Sequence, residues 1–289
     1  MISSFDYRIP KTLEEATDLL WKTQGKSKII GGGTDLVIGL RKGVVRPQCL
    51  IDVTNIEELR KIDEKDGILS IGAAVTHTEV ASSSSVKEYG RILSDAVSEI
   101  GSPEIRNLGT IGGNIVNASP AADTIPPLIV LNAICRVVSK KQEREVPLAE
   151  LFQGPYTTSI EPYEILAQVS FQKLTRDVRS VFLRLARREA MAIARMSMAI
   201  VLQMDPEKCV VEDIRICVGA VTPTPQRMFD AEVILKGEPA DQNLLTKASQ
   251  KISEAMVRRS GVRASTSYKV PVVESLFLRA MSKALGEEM

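Results

Sequence analysis

The chain has 289 residues, which is long for one hydrophobic core and predicts two or three lobes. Its 37 Lys and Arg nearly balance its 36 Asp and Glu, so the formal net charge of +1 gives no support to wholesale binding of nucleic acid or acidic membranes. The longest largely apolar run, 125–135, holds two prolines and is far shorter than the roughly 20 residues of a membrane-spanning helix. Residues 1–6 lack the pattern of a secretion signal, so we expect a cytoplasmic protein without a membrane span.

The first predicted lobe, residues 1–57, alternates helix and strand. Thr12 and Glu15 form a capping box before an apolar stripe of helical period, and Gly25 predicts where that helix ends. The other predicted elements are a strand at 28–30, a helix at 36–40 and a strand at 49–53. This alternation is typical of a small α/β lobe.

The second predicted lobe, residues 58–176, has a similar mixture. Thr76 and Glu79 are placed to cap a short helix, and Gly101 and Pro103 end a longer one. The other predicted elements are a strand at 68–73, the longer helix at 86–100, a helix from Ala121, and strands at 135–138 and 164–171.

A polar stretch at 172–179 predicts a boundary, and residues 177–289 are expected to form a separate domain. Its predicted elements are strands at 181–185, 197–204 and 210–221, then helices at 241–259 and 267–285. Strands first and helices last indicate an α+β domain.

Several residue types that often carry chemistry are expected to be structural here. The four cysteines form no CxxC pair, so we expect neither a disulfide framework nor a metal or iron–sulfur site in this chain, and Cys209 and Cys217 are predicted to be small buried residues of one strand face. His77 is the only histidine and is predicted to be structural or solvent-exposed, because no partner His, Cys or acidic cluster lies near it in sequence. The methionines predicted to fill the core are Met191, Met196, Met198 and Met204.

A loop of three consecutive glycines follows the strand at 28–30. Without side chains at 31–33 the backbone can adopt positive φ, and its N–H groups can converge on an anion such as a pyrophosphate. Thr34 and Asp35 stand at the start of the next helix, where exposed N–H groups favour negative charge. A tight strand-to-helix turn explains the same residues equally well.

A second loop, Thr110-Ile111-Gly112-Gly113-Asn114, again places paired glycines beside a hydroxyl and an amide. Two such loops in adjacent lobes predict a ligand held between the lobes. Neither loop fits the GxxxxGK[ST] pattern of a phosphate-binding loop or the GxGxxG pattern of a Rossmann site.

With these loops in view, the chain resembles the FAD-binding subunits of molybdenum hydroxylases, the family of xanthine dehydrogenase, carbon monoxide dehydrogenase and nicotinate dehydrogenase. The motifs that carry the resemblance are IIGGGTDL at 29–36, GAAVT at 72–76, GSPEIRNLGTIGGN at 101–114, ASPAAD at 118–123, EIL at 164–166, and RR at 187–188 leading into AIA at 192–194. The resemblance implies an α+β fold: a two-lobed FAD-binding domain of the vanillyl-alcohol-oxidase/PCMH type, then a smaller α+β C-terminal domain with a three-stranded sheet plus helices.

The resemblance also implies a role for individual residues. The residues expected to wrap the FAD pyrophosphate and ribityl chain, mostly through backbone N–H groups, are Ile29, Ile30, Gly31, Gly32, Gly33, Thr34, Asp35, Leu36, Thr110, Ile111, Gly112, Gly113 and Asn114. Gly101 would lie close to the cofactor, and Asp123 would accept hydrogen bonds from sugar hydroxyls. Ile165 and Leu166 would pack against the isoalloxazine or its rim.

Arg184 departs from the family pattern, because many members have a Lys there that reaches toward the flavin or its phosphates. Arg keeps the charge but replaces a point ammonium with a rigid fork. A surface cation beside Arg187 and Arg188 is the alternative interpretation.

The implied function is electron transfer, with no catalytic residue in this chain. A large molybdopterin subunit would oxidise the substrate, and a small subunit would pass electrons from two [2Fe-2S] clusters to the FAD and on to NAD or another acceptor. A dimer of heterotrimers is the expected assembly. Two alternatives stay open: a self-contained FAD-dependent oxidoreductase of the wider family, and a flavin-free assembly subunit.

Overall fold

A computed structural model describes residues 4–188 and 191–286 of the chain. Within these ranges the chain forms two lobes and a C-terminal domain, which contain three clusters of buried hydrophobic residues, and residues of neighbouring parts contribute to two of these clusters. No helix in the described part of the chain has both the length and the apolar content that crossing a membrane requires.

Lobe 1 is built on a parallel sheet with the strand order β1-β3-β2. Its elements are β1 (Asp6–Arg8), α1 (Leu13–Thr23), β2 (Ser27–Ile30), α2 (Leu36–Arg41) and β3 (Cys49–Asp52). The hydroxyl of Thr12 caps α1 as predicted, by accepting a hydrogen bond from the Glu15 N–H at 3.1 Å. The Glu15 carboxylate instead accepts from the N–H of Lys11, so the predicted capping box is only half formed.

Lobe 2 is built on an antiparallel sheet with the strand order β4-β5-β10-β6-β7. Its strands are β4 (Ile62–Lys65), β5 (Ile68–Gly72), β6 (Ile134–Ser139), β7 (Glu143–Pro147) and β10 (Glu164–Gln172), with a small hairpin of β8 (Phe152–Gly154) and β9 (Thr157–Thr158). Its helices are α3 (His77–Ser82), α4 (Ser84–Tyr89), α5 (Arg91–Ser98), α6 (Pro103–Leu108), α7 (Ile111–Asn117), α8 (Ile125–Val130) and α9 (Leu148–Leu151).

Two helix predictions in lobe 2 were wrong in extent. The helix predicted at 86–100 is broken into α4 and α5 at Gly90, where a Cβ atom would lie 2.7 Å from the ring of Phe171 on β10. The helix predicted from Ala121 begins only at Ile125, where prolines occupy the first turn and need no N–H partner.

The C-terminal domain packs an antiparallel sheet against helices. Its elements are β11 (Arg179–Leu185), β12 (Met196–Asp205), β13 (Val210–Gly219), β14 (Gln226–Arg227), α10 (Phe229–Leu235), α11 (Gln242–Ser260) and α12 (Thr266–Leu285). The sheet order β11-β12-β13-β14 adds a fourth, two-residue strand to the three that the sequence predicted. A strand of two residues is too short to show an alternation of apolar and polar residues, so the sequence does not predict it.

Strand β12 joins the C-terminal domain to lobe 2. Met198 and Ile200 pack among the buried residues of the C-terminal domain, whereas Ala199 and Val201 belong to the core of lobe 2. Because successive side chains point to opposite faces, a strand covered on both sides reads as a continuous apolar run. The run at 197–204 is such a strand.

Two of the predicted buried residues are exposed. Cys209 lies in the turn between β12 and β13 with a φ of 55°, so it does not share a strand face with the buried Cys217. Met191 is 61% exposed, whereas Met196 and Met198 are fully buried as predicted and Met204 is partly buried against the same core.

Candidate functional site

The two glycine-rich loops face a cavity of about 440 Å³ between lobe 1 and lobe 2. Its volume lies within the range of small-molecule sites. The lining residues that the sequence predicted are Ile29, Ile30, Gly31, Gly32, Gly33, Thr34, Asp35, Leu36, Thr110, Gly112, Gly113, Asn114, Ile165 and Leu166. The prediction of a ligand site between the lobes therefore has a cavity in the expected place.

The first loop presents unused backbone donors. In the described part of the chain, no acceptor takes a hydrogen bond from the N–H groups of residues 32–35. Gly33 has a φ of 69°, which only glycine adopts at little cost, and this turn carries the chain from β2 into α2. Four consecutive free N–H groups beside a cavity are the arrangement that binds a phosphate oxygen.

The glycines of the first loop also serve the contact between the lobes. A Cβ atom at Gly32 would overlap the backbone carbonyl of Leu108, and one at Gly31 would lie 2.9 Å from the Thr110 hydroxyl oxygen. The predicted reason for these glycines, backbone approach to an anion, is therefore only part of their role.

The second loop uses four of its backbone donors internally. The N–H of Ile111 donates to the Val75 carbonyl and that of Gly112 to the Ala73 carbonyl, both at 2.9 Å. The N–H of Gly113 donates to the hydroxyl oxygen of Thr110 at 3.0 Å, and that of Asn114 to the Thr110 carbonyl at 3.0 Å. The expectation that residues 111–114 offer backbone N–H groups to a ligand was therefore wrong, because the first turn of α7 is tied to β5 and capped by Thr110.

Side chains remain available on the lobe 2 wall. The Thr110 oxygen accepts from Gly113, which leaves its hydroxyl proton free to donate. The Asn114 carbonyl oxygen accepts from Thr124 at 2.6 Å, so its amide NH₂ is free to face the cavity. Ile165 and Leu166 on β10 are buried and supply an apolar floor.

Four of the predicted site residues lie outside the cavity lining. Ile111 is fully buried in the core of lobe 2, and Gly101, with a φ of 49°, packs against Ile105 in the turn before α6. Asp123 and Arg184 pair with each other where β11 meets lobe 2, at 3.3 Å between Asp123 Oδ2 and Arg184 Nη1.

The Arg184 side chain is only 3% exposed, so the alternative of a surface cation was wrong. Its Nε lies 2.9 Å from Glu99 Oε2, and its Nη1 donates to the Ala192 carbonyl at 3.2 Å. Burial raises the pKa of Asp123 to about 6 despite the opposing effect of Arg184. The second oxygen of Asp123, Oδ1, is sealed without a hydrogen-bond partner in the described structure.

His77 lines the cavity, although it was not among the predicted site residues. Its side chain is 3% exposed, which contradicts the solvent-exposed alternative, and burial lowers its pKa to about 4 with a smaller contribution from Arg106. The signal that could have found it is its position directly after GAAVT, a motif of the family resemblance. The other lining residues that the sequence did not predict are Lys28, Val45, Val53, Ala73, Gly109, Val116, Asn117 and Tyr156.

Comparison with known families matches both parts of the chain. The model described as "FAD binding domain in molybdopterin dehydrogenase" matches residues 3–171, which is more than half of the sequence. The chain belongs to this family. A second model, described as "CO dehydrogenase flavoprotein C-terminal domain", matches residues 181–284.

Several relatives match the chain over nearly its whole length. It is 30% identical to a xanthine dehydrogenase FAD-binding subunit of Escherichia coli O157:H7, over 99% of this chain and 98% of that one. It is 29% identical to a nicotinate dehydrogenase FAD-subunit of Eubacterium barkeri, again over 99% and 98%. Among solved structures, the carbon monoxide dehydrogenase of Hydrogenophaga pseudoflava that lacks the Mo-pyranopterin moiety matches with a TM-score of 0.93 at 26% identity, over 99% of each chain.

These matches confirm the predicted family, the α+β fold class, FAD as the cofactor, and a flavin subunit of a molybdenum-containing oxidoreductase. The residues of the cavity fit that cofactor. The free N–H groups of the first loop suit a pyrophosphate, the hydroxyl and amide of the second loop suit sugar and ribityl oxygens, and the β10 floor suits an apolar ring.

Proposed function

We propose that the chain is the FAD-carrying electron-transfer subunit of a molybdopterin-dependent hydroxylase or dehydrogenase. It would receive electrons from [2Fe-2S] clusters of a partner subunit and pass them to NAD or another acceptor. The observation that carries this proposal is the row of four free N–H groups at 32–35 in the lining of a cavity between the lobes, in a chain that matches flavin subunits over 99% of its length. FAD supplies the redox chemistry when bound, because it accepts and releases electrons singly or in pairs.

The residues of this chain bind and orient the cofactor. We propose that the N–H groups of 32–35 hold the pyrophosphate, that Thr110 and Asn114 bind neighbouring oxygens, and that Ile165 and Leu166 exclude water from the ring. The other residues that we propose for this site are Ile29, Ile30, Gly31, Leu36, Gly112 and Gly113, which line the cavity, and Gly101, Asp123 and Arg184, which lie outside its lining. For Asp123, the support is its sealed and unpaired Oδ1, which has the lone pairs that a sugar hydroxyl needs.

We further propose a large molybdopterin subunit and a small [2Fe-2S] subunit as partners, in a dimer of heterotrimers. Relatives include a "carbon monoxide dehydrogenase medium chain" of Hydrogenophaga pseudoflava, a name that implies larger and smaller companions. Exposed apolar side chains close in sequence to the cavity lining support a partner surface, since Ile38, Val44 and Leu108 each lie within two residues of a lining residue. We also propose that the protein is cytoplasmic and that its domain boundaries lie at 57/58 and 176/177.

The test of this function is the flavin content of the purified full-length chain. We expect a yellow protein with about one non-covalent FAD per chain, released by denaturation, because every proposed contact is a hydrogen bond or an apolar contact. A colourless preparation that takes up no FAD on reconstitution would contradict the proposal and would favour the flavin-free assembly subunit.

The electron-relay part has a separate test. Purification from the native source should bring along a molybdenum subunit and an iron–sulfur subunit, and FAD reduction by substrate should require both. A lone chain that oxidises substrate at full rate would favour a self-contained oxidoreductase instead.

A further inference from the structure

Most backbone donors of the second loop are used within the protein. All four N–H groups of residues 111–114 donate within the protein, as described above. A bound nucleotide carries many oxygen acceptors, so side chains on this wall have to supply donors. Thr110 and Asn114 supply two. The other donor-bearing side chains of lobe 2 that line the described cavity are Asn117, Tyr156 and His77, and of these three His77 is the buried one.

His77 is held rigidly against the second loop. It is the first residue of α3, which begins with a complete capping box between Thr76 and Glu79. Its N–H donates to the Gly109 carbonyl at 2.9 Å, immediately before Thr110. A Cβ atom at Gly109 would lie 3.1 Å from Cδ2 and 3.4 Å from Nε2 of His77, so this edge of the ring lies against the glycine that opens the second loop.

The two ring nitrogens have different surroundings. Nδ1 is sealed from solvent and has no hydrogen-bond partner. Among the described residues, Nδ1 is the atom of this ring that is both sealed and without a partner, and Nε2 is not. Burial keeps the pKa of the ring far below neutrality, so the ring carries one N–H and one lone pair. A sealed N–H without an acceptor is rarer in proteins than an acceptor left partly unsatisfied. The proton is therefore best placed on Nε2, with the lone pair on Nδ1.

We propose that the neutral imidazole of His77 donates a hydrogen bond from Nε2 to an oxygen of the bound flavin nucleotide, either of its pyrophosphate or of a sugar or ribityl hydroxyl. This inference rests on the proposed function, because it needs FAD in the cavity. It adds a side-chain donor to the lobe 2 wall, beside the Thr110 hydroxyl and the Asn114 amide.

The inference can be tested by measuring the affinity for FAD of two matched variants at His77. His77→Gln places an amide NH₂ near the position of Nε2, whereas His77→Leu keeps a similar volume and removes every donor. Apo-protein of the full chain is titrated with FAD, and the melting temperature of each apo-protein is recorded first. We expect His77→Leu to raise the FAD dissociation constant about 10-fold, as the loss of one hydrogen bond does, and His77→Gln to stay within about 3-fold of wild type.

The outcomes separate this inference from the proposed function. Wild-type protein that binds no FAD would overturn both. Wild-type protein that binds FAD, with His77→Leu binding it equally well, would overturn the inference alone. Equal weakening by Gln and Leu would assign His77 to packing and would also count against the inference.

Nitrogen NMR of wild-type protein tests the same point without any variant. His77 is the only histidine, so protein with ¹⁵N-labelled histidine and a histidine-free purification tag gives one pair of ring signals. We expect Nε2 to be protonated and Nδ1 unprotonated in the apo-protein, and FAD to shift the Nε2 signal. A proton on Nδ1, or ring signals that FAD leaves unchanged, would refute the inference.

Discussion

The two glycine-rich loops look equivalent in the sequence, yet they differ in the structure. The loop at 31–35 leaves four backbone N–H groups free beside the cavity, whereas the loop at 110–114 uses those of Ile111 to Asn114 within its own lobe. The glycines do not divide in the same way, since one glycine in each loop, Gly32 and Gly112, makes room for neighbouring protein atoms, whereas a Cβ atom at Gly113 would meet only the hydroxyl oxygen of Thr110. Glycine content alone thus does not show whether a loop binds a ligand or packs against its neighbour.

The largest effect is expected at a glycine whose space is filled by protein. A Cβ atom at Gly32 would overlap the Leu108 carbonyl, so Gly32→Ala has to push the two lobes apart. We expect a loss of unfolding free energy of about 3 kcal/mol or more in urea denaturation. Gly154→Ala is the matched control, because its Cβ atom would meet nothing within 4 Å, and it should change stability by less than about 0.5 kcal/mol.

Gly113→Val separates ligand binding from packing. A Cβ atom at Gly113 meets only the Thr110 oxygen, so the added methyl groups would occupy the cavity. We expect the FAD dissociation constant to rise on the order of 100-fold, while the apo-protein stays folded. Gly154→Val should bind FAD like wild type, and normal flavin content in Gly113→Val would show that this loop is only a turn.

Lobe 2 also encloses titratable groups, and their effects on stability oppose each other. The folded pKa of Asp123 is raised to about 6 by burial, so its contribution to stability is lost as the pH rises from about 4 to 6. The folded pKa of His77 is lowered to about 4 by burial, so its contribution is lost as the pH falls from about 6.5 to 4. Between about pH 4 and 6, the fall in unfolding free energy caused by Asp123 and the rise caused by His77 therefore largely cancel.

Substitutions should reveal each slope by itself. As the pH increases from about 4 to 6.5, we expect the unfolding free energy of Asp123→Asn to rise relative to that of wild type. We expect that of His77→Gln to fall relative to wild type, and each change to be on the order of 2 kcal/mol. Denaturation curves at several pH values measure this, with the exposed Asp35→Asn as control. If the unfolding free energy of wild type and of both variants changed with pH in parallel, neither residue would have a pKa shifted by burial.

The smallest effect is expected at the hydroxyl groups of the two loops. Thr110 caps α7 through its bond from Gly113, so Thr110→Val should cost about 1 kcal/mol of stability. Thr34 caps no helix, because the N-cap position of α2 belongs to Asp35, so Thr34→Val should stay within about 0.5 kcal/mol. Equal losses of stability for Thr110→Val and Thr34→Val in thermal unfolding would show that the two hydroxyl groups do not differ in this way.

The sequence predicted the parts of this structure that depend on local pattern. Capping by Thr12 and Thr76, the strands around 181–219 and the two long C-terminal helices follow from residue types a few positions apart. The motif at 101–114 indicated the family, because a motif of this length rarely matches an unrelated family by chance.

What the sequence could not predict depends on distant partners. The need for glycine at position 90 follows from the ring of Phe171, and the occupied N–H groups of Ile111 and Gly112 follow from the carbonyls of Val75 and Ala73. Burial of Arg184 follows from Glu99 and Asp123, two residues of another lobe. None of these pairings has a signal at the residue itself.

Amide hydrogen exchange with and without FAD tests the central claim most directly. In the apo-protein, the amides of 32–35 should exchange fast, because no acceptor protects them, and those of 111–114 should exchange slowly. Addition of FAD should slow exchange at 32–35 and change little at 111–114. Fast exchange at 32–35 that bound FAD leaves unaltered would contradict the claim that the first loop holds the cofactor.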